Sequence, residues 1–433
     1  MNCLSQMLNR MVSEGHMDYH HNCRKIKLTH MSFADDLLIF VEGSIESVQA
    51  VSYQKTSFFA SGLTEAETSA IQVSTGMKCG SLPMKYLGVP LCTKKLTLAN
   101  CEPLLQQVKA RFSSWSLKAL SFAGRLLLIK TVISGITTFW CSSFILPKAC
   151  VNKINSLCGL FLWSGQSEGH HSARVAWDRV TLTKEQGGLG VKDLLVWNRA
   201  CSLKLMWLLF FRPSSVWAAY FKEVILKGDI SNFWSIKPSS SYSWLVNKLI
   251  KTRDLCYPLI KRRLVSRLGI RKSATVASLY SEGRWSLPPA RTENQLVVQI
   301  HLTTISLSQC EDYFEWEING KIEEKFSTGS VYTYLKGDVP TVPWSSMIWS
   351  SYGIPRQNFL AWLMIQNRCP TKDLLAPGME LSSCEAVKCH AAELEDRDLR
   401  ISLGGSSVAR YEEEKIAPKV YKEVRGSWPR YGF

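Results

Sequence analysis

Two adjacent carboxylates, Asp35 and Asp36, are the residues of this sequence best suited to chemistry. They follow Phe33 and Ala34 and lie between two apolar, strand-forming runs, a pattern that predicts a β-hairpin with both acids near its tip. Neighbouring charges in a packed site need a cation, and Mg²⁺ prefers carboxylate oxygens together with substrate phosphates. The pair therefore predicts weak Mg²⁺ binding of the kind that nucleotidyl transfer uses. The alternative interpretation is an ordinary polar hairpin turn.

The composition indicates a folded protein with an anionic partner. The chain has 433 residues, of which 46% are hydrophobic and 20% charged, so it can bury a core. Lys and Arg number 52 against 36 Asp and Glu, and the formal net charge of +16 favours nucleic acid or an anionic membrane. The longest apolar stretches are short or interrupted by charged residues, so we expect RNA or DNA and no membrane.

The cysteines and the first residues predict an intracellular protein. The 14 cysteines are spread along the chain without the regular spacing of a disulfide framework. The first residues lack the apolar core of a signal peptide, so we expect reduced thiols and no secretion.

Apolar periodicity predicts helices over 101–119, 122–139, 151–163 and about 194–211. Pro103 suits the first turn of the first of these helices, where its missing N–H would be unpaired anyway. Most tryptophans lie in this apolar, periodic text and are predicted to be core residues. They are Trp115, Trp140, Trp163, Trp177, Trp197, Trp207, Trp344, Trp349 and Trp362.

Several motifs in order resemble one family. The segment HMSFADDLLIF at 30–40 resembles the catalytic hairpin of a reverse transcriptase, in the FADD form of plant non-LTR (LINE-type) retrotransposons. The segment LPMKYLGVPL at 82–91 resembles the primer-grip segment of that family. Residues 112–148 and 185–207 resemble its helical thumb region and the continuation of that region, and 326–335 and 343–379 resemble the plant reverse-transcriptase zinc-binding domain. The resemblance covers roughly residues 1–380 in the family's order.

The resemblance implies an α+β chain. Its parts would be a partial reverse-transcriptase palm with the FADD hairpin, a mainly helical thumb and connection, and a small α-rich C-terminal domain. The implied bounds are 1–100 for the palm, 101–230 for the thumb and connection, 231–325 for a basic linker region, 326–383 for the zinc-binding-like domain and 384–433 for a divergent tail, predicted to be disordered.

The family's site residues carry over by position. Asp35 and Asp36 match the paired catalytic aspartates that hold Mg²⁺. Lys85, Tyr86, Leu87 and Gly88 match the primer-grip turn, where a glycine lets the backbone turn sharply. For Tyr86 and Leu87 the alternative is hairpin core.

A basic cluster predicts nucleic-acid binding by phosphate neutralisation, and its alternative is a solvated helix face. Its members are Lys251, Arg253, Lys261, Arg262, Arg263, Arg267, Arg271 and Lys272. A second basic strip lies in the helical text and consists of Lys109, Arg111, Lys118, Arg125 and Lys130.

Parts of both expected metal sites are missing. A two-metal polymerase site needs a third carboxylate, and Asp18 is the only other aspartate up to Asp35. A structural zinc needs four ligands, whereas Cys384, Cys389 and His390 have no later Cys or His to join them. We therefore expect a truncated chain with a catalytically incomplete polymerase site and no closed zinc site.

These observations favour a truncated RNA-directed DNA polymerase of a non-LTR retrotransposon, inactive in this form, with RNA and DNA as template–primer partners. One alternative is a non-enzymatic nucleic-acid-binding remnant, and another is a decayed open reading frame with no function. The family's life cycle and the basic charge imply the nucleus. The sequence does not identify protein partners.

Overall fold

The structure is a computed structural model that describes residues 2–33, 36–51, 57–86, 88–92, 94–116, 120–169, 172–261, 279–281, 284–303, 314–350 and 352–369. These residues form a mixed α/β protein that is mostly helical and has few, short strands, which is compatible with the expected α+β class.

Fifteen α-helices lie in the described residues. They are α1 (Asn2–Ser13), α2 (Ile45–Ala50), α3 (Glu65–Thr75), α4 (Glu102–Ser116), α5 (Phe122–Leu128), α6 (Ser134–Ser143), α7 (Lys148–Ser164), α8 (Trp177–Val180), α9 (Leu194–Phe211), α10 (Val216–Tyr220), α11 (Trp244–Thr252), α12 (Glu293–Thr303), α13 (Thr328–Lys336), α14 (Ser345–Ile348) and α15 (Pro355–Ile365). Single turns of π-helix occupy Ile129–Ile133 and Phe221–Ile225.

Eleven strands in the same residues are short. They are β1 (His30–Phe33), β2 (Asp36–Ile39), β3 (Ser57–Phe58), β4 (Lys78–Cys79), β5 (Met84–Tyr86), β6 (Val89–Leu91), β7 (Ile260–Lys261), β8 (Tyr280–Ser281), β9 (Arg284–Trp285), β10 (Glu315–Ile318) and β11 (Lys321–Ile322). They form four two-stranded sheets and one three-stranded sheet in the order β11-β10-β7.

The chain divides into two compact units. The first unit consists of Met1–Glu102, Phe139–Cys150 and Leu194–Asp338, and the second of Pro103–Thr138, Val151–Asp193 and Val339–Phe433. The bounds expected from the family are contiguous along the chain, whereas each of these units is assembled from three segments. The family bounds stay a prediction.

The core of the first unit forms around α9. This helix is largely apolar, which is typical of a buried helix, and Ala200, Leu203 and Met206 are fully buried, whereas Arg199 and Lys204 are exposed. Helix α13 packs along it, and Trp316 of β10 belongs to the same apolar cluster. Asn198 of α9 is also buried, and its amide pairs with the main chain. It accepts from the N–H of Leu146 (2.8 Å) and donates to the carbonyls of Cys141 (3.1 Å) and Phe144 (2.6 Å).

The core of the second unit is aromatic. Phe112 of α4 stacks on Phe161 of α7 with their ring centroids 4.6 Å apart. Phe122 of α5 stacks on Phe359 of α15 at 5.4 Å. Such pairs stabilise a fold beyond the burial of their area, by about 0.5–1.5 kcal/mol each.

The helices predicted from periodicity are confirmed as α4, α7 and α9, and Pro103 lies in the first turn of α4. The segment predicted at 122–139 is helical but contains the π-turn Ile129–Ile133. Six of the nine tryptophans predicted as core are buried, and Trp177, Trp344 and Trp349 are half-buried.

Two helical stretches, Phe122–Ser143 and Leu194–Phe211, pass a length-and-composition test for a membrane span. The second is α9, ten residues of which are buried in the protein. Core helices of soluble proteins pass the same test, so the result carries little weight.

Candidate functional site

A β-hairpin presents the predicted acidic residues. Strands β1 and β2 are antiparallel, and Phe33 pairs with Asp36 at the tip end. Asp36 is the first residue of β2 and is exposed. Ala34 and Asp35 lie outside the described residues. The catalytic role of Asp35 and Asp36 therefore stays a prediction.

The base of this hairpin is fixed to α1. Thr29 donates to the side chain of Asn9 (3.2 Å), and His30 shares a hydrogen bond with Ser5 (2.8 Å). Leu8 and Met17 are buried in a small apolar cluster with Ile39 packed against it. The hairpin base is thus held by hydrogen bonds and packing, whereas Phe33 near the tip is 40% exposed.

A second hairpin carries the primer-grip-like residues. Strands β5 and β6 are antiparallel, with Tyr86 paired to Val89. Gly88 has φ +79°, a left-handed conformation that favours glycine, and open space where a Cβ would be. The sharp turn expected of this glycine is therefore present. Leu87 and the side chain of Lys85 lie outside the described residues.

The two hairpins bring Asp36 and Tyr86 into electrostatic contact. Partial burial raises the pKa of the Tyr86 phenol, and the negative charge of Asp36 raises this pKa further. The phenol therefore stays neutral around pH 7 and remains a hydrogen-bond donor. Both residues belong to the first unit. The structure thus brings together one residue from each of the two motifs that the sequence singled out.

The described residues do not assemble a metal site by themselves. Within them, no group of three or more His, Cys, Asp or Glu side chains could hold a metal ion. Asp36 is one carboxylate at the hairpin tip, and two metal ions need more ligands than that. The Mg²⁺ prediction depends on Asp35, and the zinc question on Cys384, Cys389 and His390, which all lie outside the described residues. Burial raises the pKa of the Cys369 thiol, and Arg174 partly offsets this effect.

The predicted basic cluster is only partly described. Lys251 is an exposed residue of α11. Arg253 is half-buried, and its Nη1 donates to the carbonyls of Phe233 (2.8 Å) and Ile236 (2.7 Å). These bonds give Arg253 a structural role in the first unit. Lys261 lies in β7, its side chain is not described, and the members from Arg262 to Lys272 lie outside the described residues.

Two members of the predicted helical strip turn inward. The guanidinium of Arg125 donates to the carbonyl of Leu162 (3.3 Å) and lies 5.3 Å from the Phe122 ring centroid. Nζ of Lys130 donates to the carbonyl of Leu189 (3.1 Å), and burial lowers the pKa of this amine. These main-chain hydrogen bonds give Arg125 and Lys130 a structural role in the second unit, and the nucleic-acid role of the strip stays a prediction. Lys118 lies outside the described residues.

The sequence analysis missed a structural element at 183–191, which we call the glycine loop. The carbonyl of Gly187 accepts from Nε1 of the buried Trp362 (2.9 Å), and the carbonyl of Glu185 accepts from the N–H of Val342 (2.8 Å). Gly188 lies against the carbonyls of Leu182 and Arg179. The loop therefore joins the segment 339–369 to the rest of the second unit. The paired glycines in EQGGLG were the available signal.

Comparison with known proteins relates part of the chain to reverse transcriptases. Residues 326–399 match a family described as zinc-binding in reverse transcriptase. An Arabidopsis thaliana protein whose name describes it as a ribonuclease H protein is 32% identical over 155 residues, 36% of this chain. The matched part spans 25% of that relative's length. These matches indicate a retrotransposon-like, reverse-transcriptase-related protein and agree with the predicted resemblance of 326–335 and 343–379.

Proposed function

We propose that the chain is part of an RNA-directed DNA polymerase of a non-LTR retrotransposon, and that these 433 residues bind template–primer nucleic acid without extending it. The proposal includes a weak Mg²⁺ site at Asp35 and Asp36 and residence in the nucleus. It includes no zinc ion.

The observation that carries the proposal is the match of residues 326–399 to a family described as zinc-binding in reverse transcriptase. Two motifs outside that match, at 30–40 and 82–91, resemble the catalytic hairpin and the primer grip of the same enzymes. Their residues Asp36 and Tyr86 are 50 positions apart, and the charge of Asp36 raises the pKa of the Tyr86 phenol, which supports the same origin.

The lack of extension follows from the number of carboxylates. Two metal ions about 3.5–4 Å apart need ligands from more than one hairpin. Apart from the pair itself, Asp18 is the only aspartate up to position 36. Its N–H donates to the Ser47 hydroxyl (3.0 Å), and its carbonyl accepts from the N–H of Glu42 (3.0 Å), so its main chain is held in the base of the first hairpin. We therefore expect no third metal-binding carboxylate beside Asp35 and Asp36.

Fluorescence anisotropy and primer extension test the proposal on the full 433-residue chain. The probe is a labelled DNA primer annealed to an RNA template. We expect binding that weakens steeply between about 50 and 200 mM salt, because bound cations release counterions from the phosphates. We expect Mg²⁺ to tighten binding in the parent chain but not in the variant Asp36→Asn. No product should appear with Mg²⁺ or Mn²⁺.

Each other outcome contradicts a defined part of the proposal. Primer extension that is lost in Asp36→Asn would show an active polymerase. Binding that responds to neither Mg²⁺ nor Asp36→Asn would favour the alternative of a non-enzymatic binding remnant. Absence of binding, together with absence of a cooperative unfolding transition, would favour a decayed reading frame.

A further inference from the structure

An unusually exposed aromatic ring lies between α14 and α15 in the second unit. Tyr352 is 98% exposed, and Met347 and Ile354 beside it in the chain are 84% and 53% exposed. Most other large aromatic side chains of this unit are packed, as Phe112, Phe161 and Phe359 illustrate. One exposed side chain is ordinary on a protein surface, but at 98% exposure both faces of this ring are open to a partner.

The charged residues of the segment that carries this ring are all basic. Residues 339–369 contain no Asp or Glu and include Arg356 and Arg368. Arg356 lies four residues after Tyr352, in the first turn of α15, and is exposed. We call Met347, Tyr352, Ile354 and Arg356 the Tyr352 surface. An exposed aromatic ring in a segment whose charged side chains are all basic suits a partner that is flat, apolar on its faces and anionic at its edge.

We propose that the Tyr352 surface binds single-stranded nucleic acid, with a base stacked on the Tyr352 ring and a backbone phosphate near Arg356. Every base has a stacking face, and every nucleotide carries a phosphate, so this mode needs no particular sequence. The inference rests on the proposed function for the class of partner, and it adds the surface and the strand type. A second copy of this chain is the competing occupant, and if the two segments met face to face, each would bring only basic charged side chains, which repel each other.

Anisotropy with a labelled oligothymidine of about 15 nucleotides tests this assignment, since single-strand sites span roughly 4–16 nucleotides. Stacking on one ring is worth enough that Tyr352→Ala should weaken binding about 5- to 150-fold. The variant Tyr352→Phe keeps the ring and should bind like the parent chain. Arg356→Ala should reduce the slope of log affinity against log salt by about 1. The control is Val73→Ala, because Val73 lies on α3 in the first unit, outside the predicted basic residues, and is 87% exposed; it should bind within about twofold of the parent chain.

Several results would overturn the inference. One is oligothymidine binding in Tyr352→Ala that equals binding in the parent chain. Another is unchanged binding combined with a changed sedimentation coefficient, which would make the Tyr352 surface an interface between copies of the chain. The template–primer assay separates this failure from that of the proposed function. If template–primer binding survives while Tyr352→Ala has no effect on oligothymidine, only the present inference fails, and if the parent chain binds neither probe, both fail.

Discussion

At the scale of single residues, two fully buried tryptophans differ in one hydrogen bond. Trp362 is 0% exposed and donates from Nε1 to the carbonyl of Gly187 at 2.9 Å. Trp316 is 1% exposed, and its Nε1 has no hydrogen-bond partner among the described residues. A buried donor without an acceptor destabilises a fold, whereas a buried donor with one stabilises it. The two indoles therefore make different contributions despite equal burial.

We expect the substitution Trp362→Phe to destabilise the protein more than Trp316→Phe. Both substitutions remove similar volume from a core, but only the first leaves a buried carbonyl unpaired, which costs about 1–3 kcal/mol. Urea unfolding followed by circular dichroism measures the free energy of unfolding of each variant. Equal losses in the two variants would contradict the role assigned to the Trp362 bond.

The candidate site shows which features of single residues the sequence can predict. The residue types and spacing around Asp36 predict the hairpin, because alternating strand-formers and a polar break specify it locally. The electrostatic effect of Asp36 on Tyr86 joins residues 50 positions apart in the chain, so local sequence patterns do not predict it. The inward turn of Arg125 and Lys130 could not be predicted, because their acceptors are main-chain carbonyls 37 and 59 residues further along.

At the scale of elements, serine and threonine begin several of the helices. Ser121, Ser215 and Ser243 each accept an N–H from the first turn of α5, α10 and α11. Thr64 and Glu67 form a capping box at α3, and the Thr64 hydrogen bonds lower the pKa of Glu67. These caps are local, so sequence reasoning can find them together with the apolar periodicity of the helices. The π-turn at Ile129–Ile133 has no such local signal.

Substitution by alanine should change the stability in opposite directions at two glycines. Gly188 lies in the glycine loop, and Gly124 lies in α5. In Gly188→Ala the new Cβ would clash with the carbonyl oxygen of Leu182. It would also lie 2.6 Å from the carbonyl oxygen of Arg179, so the backbone must shift. We expect a loss of about 1–3 kcal/mol in stability, as for other overpacked sites. In Gly124→Ala, within α5, the nearest atom is the Ser121 hydroxyl oxygen at 3.6 Å, which is ordinary contact.

The variant Gly124→Ala should therefore gain about 0.5–1 kcal/mol, because alanine is the better helix former. Thermal unfolding compares the two variants with the parent chain. If Gly188→Ala were as stable as the parent chain, the backbone of the glycine loop would shift at little cost, contrary to what its hydrogen bonds indicate. A destabilised Gly124→Ala protein would contradict the ordinary contacts found at that position.

At the scale of the whole molecule, the basic side chains have two roles. Some donate hydrogen bonds to main-chain carbonyls, and others are exposed to solvent. The formal net charge of +16 belongs to the entire chain, and composition alone does not say which cations face solvent. In the described residues, Arg125, Lys130 and Arg253 pair with main-chain carbonyls, whereas Lys251 and Arg356 are exposed. The sequence could therefore predict the class of partner but not which cations are available to it. That division depends on long-range folding.

Lys251 and Arg253 test the difference between exposed cations and cations bonded to the main chain, since they are two residues apart in the predicted nucleic-acid cluster. The guanidinium of Arg253 donates to two carbonyls, so Arg253→Ala should lower the free energy of unfolding by about 1.5–3 kcal/mol. Lys251 is exposed, so Lys251→Ala should change stability by less than about 0.5 kcal/mol. If Lys251 contacts a phosphate, its loss should reduce the salt slope of template–primer binding by about 1.

Urea unfolding and anisotropy measure the two effects separately. A destabilised Lys251→Ala protein, or an Arg253→Ala protein that loses affinity at unchanged stability, would reverse the assignment and make Arg253 the phosphate-binding residue.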